Sequence, residues 1–120
     1  MLAAMPGIHF DVVITQDEID AMAEQAVHAT ARQLAERAFP PRSSIDMPEE
    51  EVRALAELHA LLHLQRAAQR LSEKAAHTAA RFGAGYPDLA AALAMTRQGA
   101  RKRYPHLVER HAPAYHDEES

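Results

Sequence analysis

The chain has 120 residues, 48% hydrophobic but only 5% aromatic, with a formal net charge of −4. That length suits one domain with a modest core, and the absence of cysteine excludes a disulfide framework, a thiolate metal site and a thiol nucleophile. No run reaches the roughly 18 apolar residues of a membrane span. The start MLAAMPGIHFD lacks the basic opening and apolar core of a signal peptide, so a cytoplasmic protein is expected.

Residues 8–14 are the one strand candidate, with Ile8, Phe10, Val12 and Ile14 on one face. A lone strand cannot satisfy its own backbone, so it must pair with a second copy or lie along a helix. Thr15-Gln16-Asp17-Glu18 then has the form of a capping box, with Ile14 and Ile19 placed as a hydrophobic staple. The helix it starts is expected to run to about Ala38. Pro40-Pro41 stops it, because the residue before proline is pushed out of helical geometry. Steps of three and four residues assign its buried face to Ile19, Met22, Ala26, Val27, Thr30 and Leu34.

After a loop over 39–44, a longer helix is expected from Ser44 or Asp46, with Pro48 and three glutamates in its first turns. No Gly or Pro interrupts the run from there to Gly83. A helix of that length, roughly 50 Å at 1.5 Å per residue, exceeds what a small monomer buries. Leu55, Leu58 and Leu62 share a face, while Leu61 and Leu64 point elsewhere. One face is expected against the first helix and the other against a second copy of the chain. A break near Ser72, where serine can cap a new helix, would make 72–82 the first helix of a C-terminal unit. Gly83-Ala84-Gly85 then turns the chain.

Residues 86–104, YPDLAAALAMTRQGARKRY, read as two short helices around a sharp turn. Pro87 and Asp88 suit a first helical turn. Leu89, Ala90 and Leu93 make an apolar stripe, and Met95 follows the turn as a core plug. Thr96 is a good N-cap for the second helix. That helix presents Arg97, Gln98, Arg101 and Lys102 outward, with Ala100 and Tyr104 inward.

This spacing resembles the helix-turn-helix of bacterial DNA-binding proteins: small regulators and the promoter-binding region of sigma factors. The resemblance spans about residues 72–108. Leu89, Ala90, Leu93, the turn at Ala94, Met95, Thr96 and the Arg97-Gln98 opening carry it, and Tyr104 closes the second helix. The resemblance implies an all-α fold in which an N-terminal pair of long helices joins a C-terminal helix-turn-helix unit of three helices. It further implies insertion of the helix 96–104 into the major groove. The turn position favours glycine, since its backbone tends toward positive φ, and here it is Ala94. Gly99 costs the second helix about 1 kcal/mol of propensity relative to alanine and leaves the backbone open to a close approach by DNA.

Charge placement agrees with that reading. Residues 1–80 hold 7 basic and 12 acidic side chains, residues 81–110 hold 6 and 2, and residues 111–120 hold none and 3. The basic excess therefore sits on the would-be recognition helix, as contact with phosphate requires.

Eight histidines raise metal binding as a rival. His59 and His63, four apart, share a helix face, but the intervening residues Ala60-Leu61-Leu62 lack the base of a zinc protease, and no third ligand stands at a telling distance. No metal site, cofactor or catalytic group is therefore expected. Serines lack a nucleophile elbow, and the acidic clusters are accounted for by helix starts.

The expected organisation is 1–71 for dimerisation, 72–110 for DNA binding and 111–120 as a flexible acidic tail. The expected function is a homodimeric, sequence-selective binder of double-stranded DNA, a small bacterial regulator on the nucleoid. Arg97, Gln98, Arg101 and Lys102 would read bases, while Thr96, Arg103 and Arg81 would touch phosphate. The alternatives are an adaptor for another regulator or RNA polymerase, and a histidine-based metal-sensing regulator using His59 and His63.

Overall fold

The computed structural model describes residues 10–40 and 46–111. Five helices follow in order: α1 (Gln16–Ala38), α2 (Glu49–Arg81), α3 (Tyr86–Leu93), α4 (Arg97–Arg103) and α5 (Leu107–Arg110). Among the described residues there is no strand. Phe10 to Ile14 carry no regular structure, and Phe10, Val12 and Val13 are exposed. An isolated strand has no edge to bond. Ile8, His9 and the expected acidic tail from 112 lie outside the described residues.

The start of α1 is built by its first few side chains. Glu18 N–H donates to Thr15 Oγ1 at 3.1 Å, and Thr15 N–H donates to Glu18 Oε1 at 2.8 Å. These bonds satisfy donors that the helix cannot pair itself. The Thr15 backbone N–H, and after it the Thr15 hydroxyl, holds the Glu18 carboxyl below the ordinary glutamate range. The helix ends at Ala38, and the N–H of Phe39 still reaches the Ala35 carbonyl at 2.8 Å.

Its buried face is not the one expected. Ala31 and Ala35 are buried and Leu34 half-buried, while Met22, Ala26, Val27 and Thr30 are exposed. At 100° per residue Ala31 and Ala35 lie nearly half a circle round from the Ile19–Met22–Ala26 stripe, with Leu34 between the two, and of that stripe only Ile19 is half-buried. Only the last two turns of α1 carry buried residues.

Helix α2 begins at Glu49, where the Pro48 carbonyl accepts from Glu51 N–H at 3.0 Å and Val52 N–H at 3.1 Å. Three glutamates complement the N-terminal dipole. The expected break at Ser72 does not occur. Serine costs a helix interior only a few tenths of a kcal/mol, and with no Gly or Pro nearby nothing forces the backbone out of helical geometry.

The chain forms two compact units, one over 12–70 and one over 71–111 that also takes in Phe10 and Asp11. Helix α2 contributes to both. In the first, Ala31, Ala35 and Ala60 make a small core, flanked by Leu34, Phe39, Ala56, Leu61 and Leu64. Ala31 and Ala60 have no accessible surface, so this core is packed through side chains of one carbon. Leu55, Leu58 and Leu62 stay exposed. In the second unit, Ala76 and Ala80 of α2 pack with Tyr86, Leu89, Ala90, Ala100, Tyr104 and Leu107. No helix among the described residues is long and apolar enough to cross a membrane.

Candidate nucleic-acid interface

The basic segment is held by two turns of the same design. At the end of α2, Ala84 N–H reaches the Ala79 carbonyl and Gly83 N–H the Ala80 carbonyl, both at 3.0 Å. This paired closure needs a left-handed residue, and Gly83 supplies it at φ +107°. At the end of α3, Met95 N–H reaches the Ala90 carbonyl at 3.0 Å and Ala94 N–H the Ala91 carbonyl at 3.3 Å. The left-handed residue is now Ala94, at φ 54° and ψ 47°. The positive φ expected at this position is there, borne by a residue that must tolerate a crowded Cβ.

Each short helix is capped at its start. Gly85 N–H donates to Asp88 Oδ2 at 3.1 Å ahead of α3, and Pro87 sits in the first turn, where its missing donor costs little. Gly99 N–H donates to Thr96 Oγ1 at 2.9 Å ahead of α4. A Cβ added at Gly99 would lie 3.1 Å from that hydroxyl oxygen and 3.4 Å from the Met95 sulfur. Space for the cap and for Met95 is thus a local reason for glycine here, independent of any approach by DNA.

Tyr86 ties the end of α4 and the start of α5 to α3. Its buried hydroxyl donates to the Tyr104 carbonyl at 2.6 Å and accepts from Leu107 N–H at 3.1 Å. The Leu107 N–H shares itself between that hydroxyl and the Tyr104 carbonyl, at 3.2 Å, at the start of α5, where His106 adopts a left-handed conformation at φ 63° and has no side-chain cap. Tyr104 closes α4 from within the core, and its own hydroxyl is buried with no partner among the described residues.

The expected DNA-contacting residues fall into distinct settings. Arg97, Gln98 and Lys102 are exposed. Arg101 is folded back: its guanidinium carbon lies 4.5 Å from the Tyr86 ring centroid, and its Nη1 is 3.8 Å from Glu109 Oε2. Its side chain still keeps 59% of its surface exposed. Thr96 spends its hydroxyl on the cap. Arg103 lies 5.7 Å over the Tyr104 ring and Arg81 5.7 Å over the Phe82 ring. With 100° per residue, Arg97, Arg101, Gln98 and Lys102 span one continuous arc of α4, and Arg103 stands on the opposite flank. Ala100 and Tyr104 fill the arc that faces the core.

Sequence reasoning missed the Tyr86 hydroxyl bridge and the Tyr86–Arg101–Glu109 contact, because both join residues far apart in the chain. The pairing of His77 Nδ1 with His111 Nε2 at 3.4 Å was equally out of reach, at 34 residues' separation. The i, i+4 pair His59 and His63 is assembled as the spacing implied, with Nε2 to Nε2 at 3.4 Å.

Comparison with protein-family models, with curated proteins and with solved structures gives no match. The functional reading therefore rests on the residues themselves.

Proposed function

We propose that this chain is a sequence-selective double-stranded DNA-binding protein of the helix-turn-helix kind, a small regulator acting on the bacterial nucleoid in the cytoplasm. In this reading the end of α2 supports α3 and α4, and α4 enters the major groove. The observation that carries the proposal is the capped turn from α3 through Ala94 to Thr96, which ends on a helix whose outward arc is Arg97, Gln98, Arg101 and Lys102. Helix α4, at seven residues, is about 10 Å long, matching about three base-pair steps. Gln98 suits adenine, and Arg97 and Lys102 suit guanine. In this reading Arg103, from the opposite flank of α4, and Arg81 would contact phosphate, which fixes position without specifying sequence. Arg101, resting on Tyr86 and near Glu109, would reach a base only by leaving those contacts.

Pairing of two copies belongs to the proposal. Leu55, Leu58 and Leu62 stand at steps of three and four on α2, 48%, 62% and 37% exposed, and two chains sharing that stripe would remove it from water. A dimer of such units prefers a palindrome with half-sites one or two helical turns apart. No catalytic chemistry is assigned. The alternative of a protein-binding adaptor is separated by one experiment: selection of random duplexes on the purified chain, followed by sequencing of the survivors. Enrichment of a palindromic site supports the DNA reading, and survivors no different from the starting pool refute it.

A further inference from the structure

We infer that His59 and His63 form a two-imidazole binding site for a zinc-class divalent transition-metal ion. This site lies within the unit 12–70 and does not rest on the DNA reading. The two Nε2 atoms are 3.4 Å apart. That is long for a hydrogen bond, whose N–H···acceptor distances run to about 3.2 Å. Two nitrogens bound to one zinc at about 2.0–2.1 Å and a tetrahedral angle lie about 3.3–3.4 Å apart, the separation these two rings already have.

Three further features point the same way. The imidazole planes are near perpendicular, at 89°, which lets the two rings aim at one point from different directions. Phe39 fixes both rings: its centroid is 4.6 Å from His59 in an edge-to-face contact and 5.4 Å from His63 in a stacked one. Phe39, half-buried, itself packs on the Ala31–Ala35–Ala60 core, so one anchored ring contacts both donors and restricts their rotamers before binding. Finally, both ligands sit on the middle of α2, one turn apart, where the backbone is rigid. Neutral imidazole suits zinc, nickel and copper among the divalent ions.

Among the described residues no third His, Cys, Asp or Glu joins the pair. The remaining coordination places fall to water or an exchangeable anion, which makes the site open rather than structural. Because the ion binds the folded helix and not the unfolded chain, occupancy would stabilise the unit 12–70.

The test is calorimetric titration of the full chain, freed of any affinity tag, with zinc, alongside cobalt(II) as a visible-absorption probe of tetrahedral geometry. The expected result is binding with a rise in melting temperature at saturating zinc. In a His77→Ala background, which removes the other close imidazole pair, His77–His111 at 3.4 Å, His59→Ala and His63→Gln should each weaken binding about tenfold or more and abolish that rise. Both substituted side chains are on the surface or its edge, and far-ultraviolet circular dichroism without metal checks that the variants keep their helices. Zinc affinity unchanged by His59→Ala in that background, or lost with His77→Ala alone, would overturn the inference.

Discussion

The two units of this chain are stabilised in different ways. The unit 71–111 buries two tyrosines and two leucines, pins its last helices with the Tyr86 hydroxyl, and closes both of its turns with paired backbone bonds. The unit 12–70 fully buries only alanines and leaves Met22, Leu55 and Leu58 substantially bare. The proposed pairing of two copies would cover part of that bare surface. The C-terminal unit has the larger buried side chains, though Leu71 and Phe82 stay exposed there.

The largest effect should come from breaking the tyrosine bridge. Tyr86→Ala is expected to cost about 3–5 kcal/mol, as for other buried aromatic truncations. Tyr86→Phe keeps the ring and removes both bonds of the hydroxyl, while the Leu107 N–H keeps its bond to the Tyr104 carbonyl at 3.2 Å, so it should cost about 0.5–1.5 kcal/mol. Chemical denaturation measures both, and a neutral Tyr86→Phe would show that the bridge adds nothing to stability.

Next comes the uncovered face. Leu58→Asp should weaken self-association by about 2 kcal/mol per chain, the value of one buried leucine, while leaving helix content intact. Light scattering at micromolar concentration reads this directly. A wild-type chain that is monomeric there would end the proposal of a dimer.

Smaller effects separate the two turns and their caps. Thr96→Ala should destabilise by about 1 kcal/mol through loss of the Gly99 cap bond. Gly83→Ala puts a Cβ at φ +107° and should lower stability by about 1 kcal/mol, whereas Ala94→Gly should raise it by about 0.5–1 kcal/mol by relieving a left-handed alanine. Opposite signs in thermal melts would show that the turns share one design. The smallest effect concerns Glu18. Its pKa is depressed, so its capping contribution is present above the unfolded value and is lost as pH falls through the folded one. Glu18→Gln should remove that part of the acid-side slope, read as melting temperature against pH.

Much of this architecture is legible in the sequence wherever a local rule acts alone. The Thr15 and Thr96 caps, the stop before Pro40 and the left-handed turn at Ala94 all follow from a few neighbouring side chains. The failures have one physical origin. Periodicity marks an apolar stripe but not what covers it: of Ile19, Met22, Ala26, Val27, Thr30 and Leu34 only Ile19 and Leu34 are half-buried, and the fully buried residues of α1 are Ala31 and Ala35. The sequence separates the face of Leu55, Leu58 and Leu62 from that of Leu61 and Leu64, but not which of the two is covered: Leu61 and Leu64 flank the core and the other three are exposed. Ser72 offers a cap with no breaker beside it, and the helix runs on. Arg101 looks like a free cation in the sequence because its partners, Tyr86 and Glu109, are 15 and 8 residues away. For His59 and His63 the spacing is visible, but not the Phe39 ring that fixes them.

The central claim, that the outward arc of α4 reads DNA, is tested most directly by affinity for a selected duplex across a salt series. Wild type is compared with an Arg97→Ala, Lys102→Ala double variant, two exposed residues outside the core. At least a tenfold loss of affinity is expected, with weaker discrimination between the selected duplex and a scrambled one. If either removed cation also touches phosphate, the slope of log affinity against log salt should become shallower by about 0.9 for each phosphate no longer neutralised. Equal affinity of the two proteins at low salt, with equal slopes, would contradict the claim.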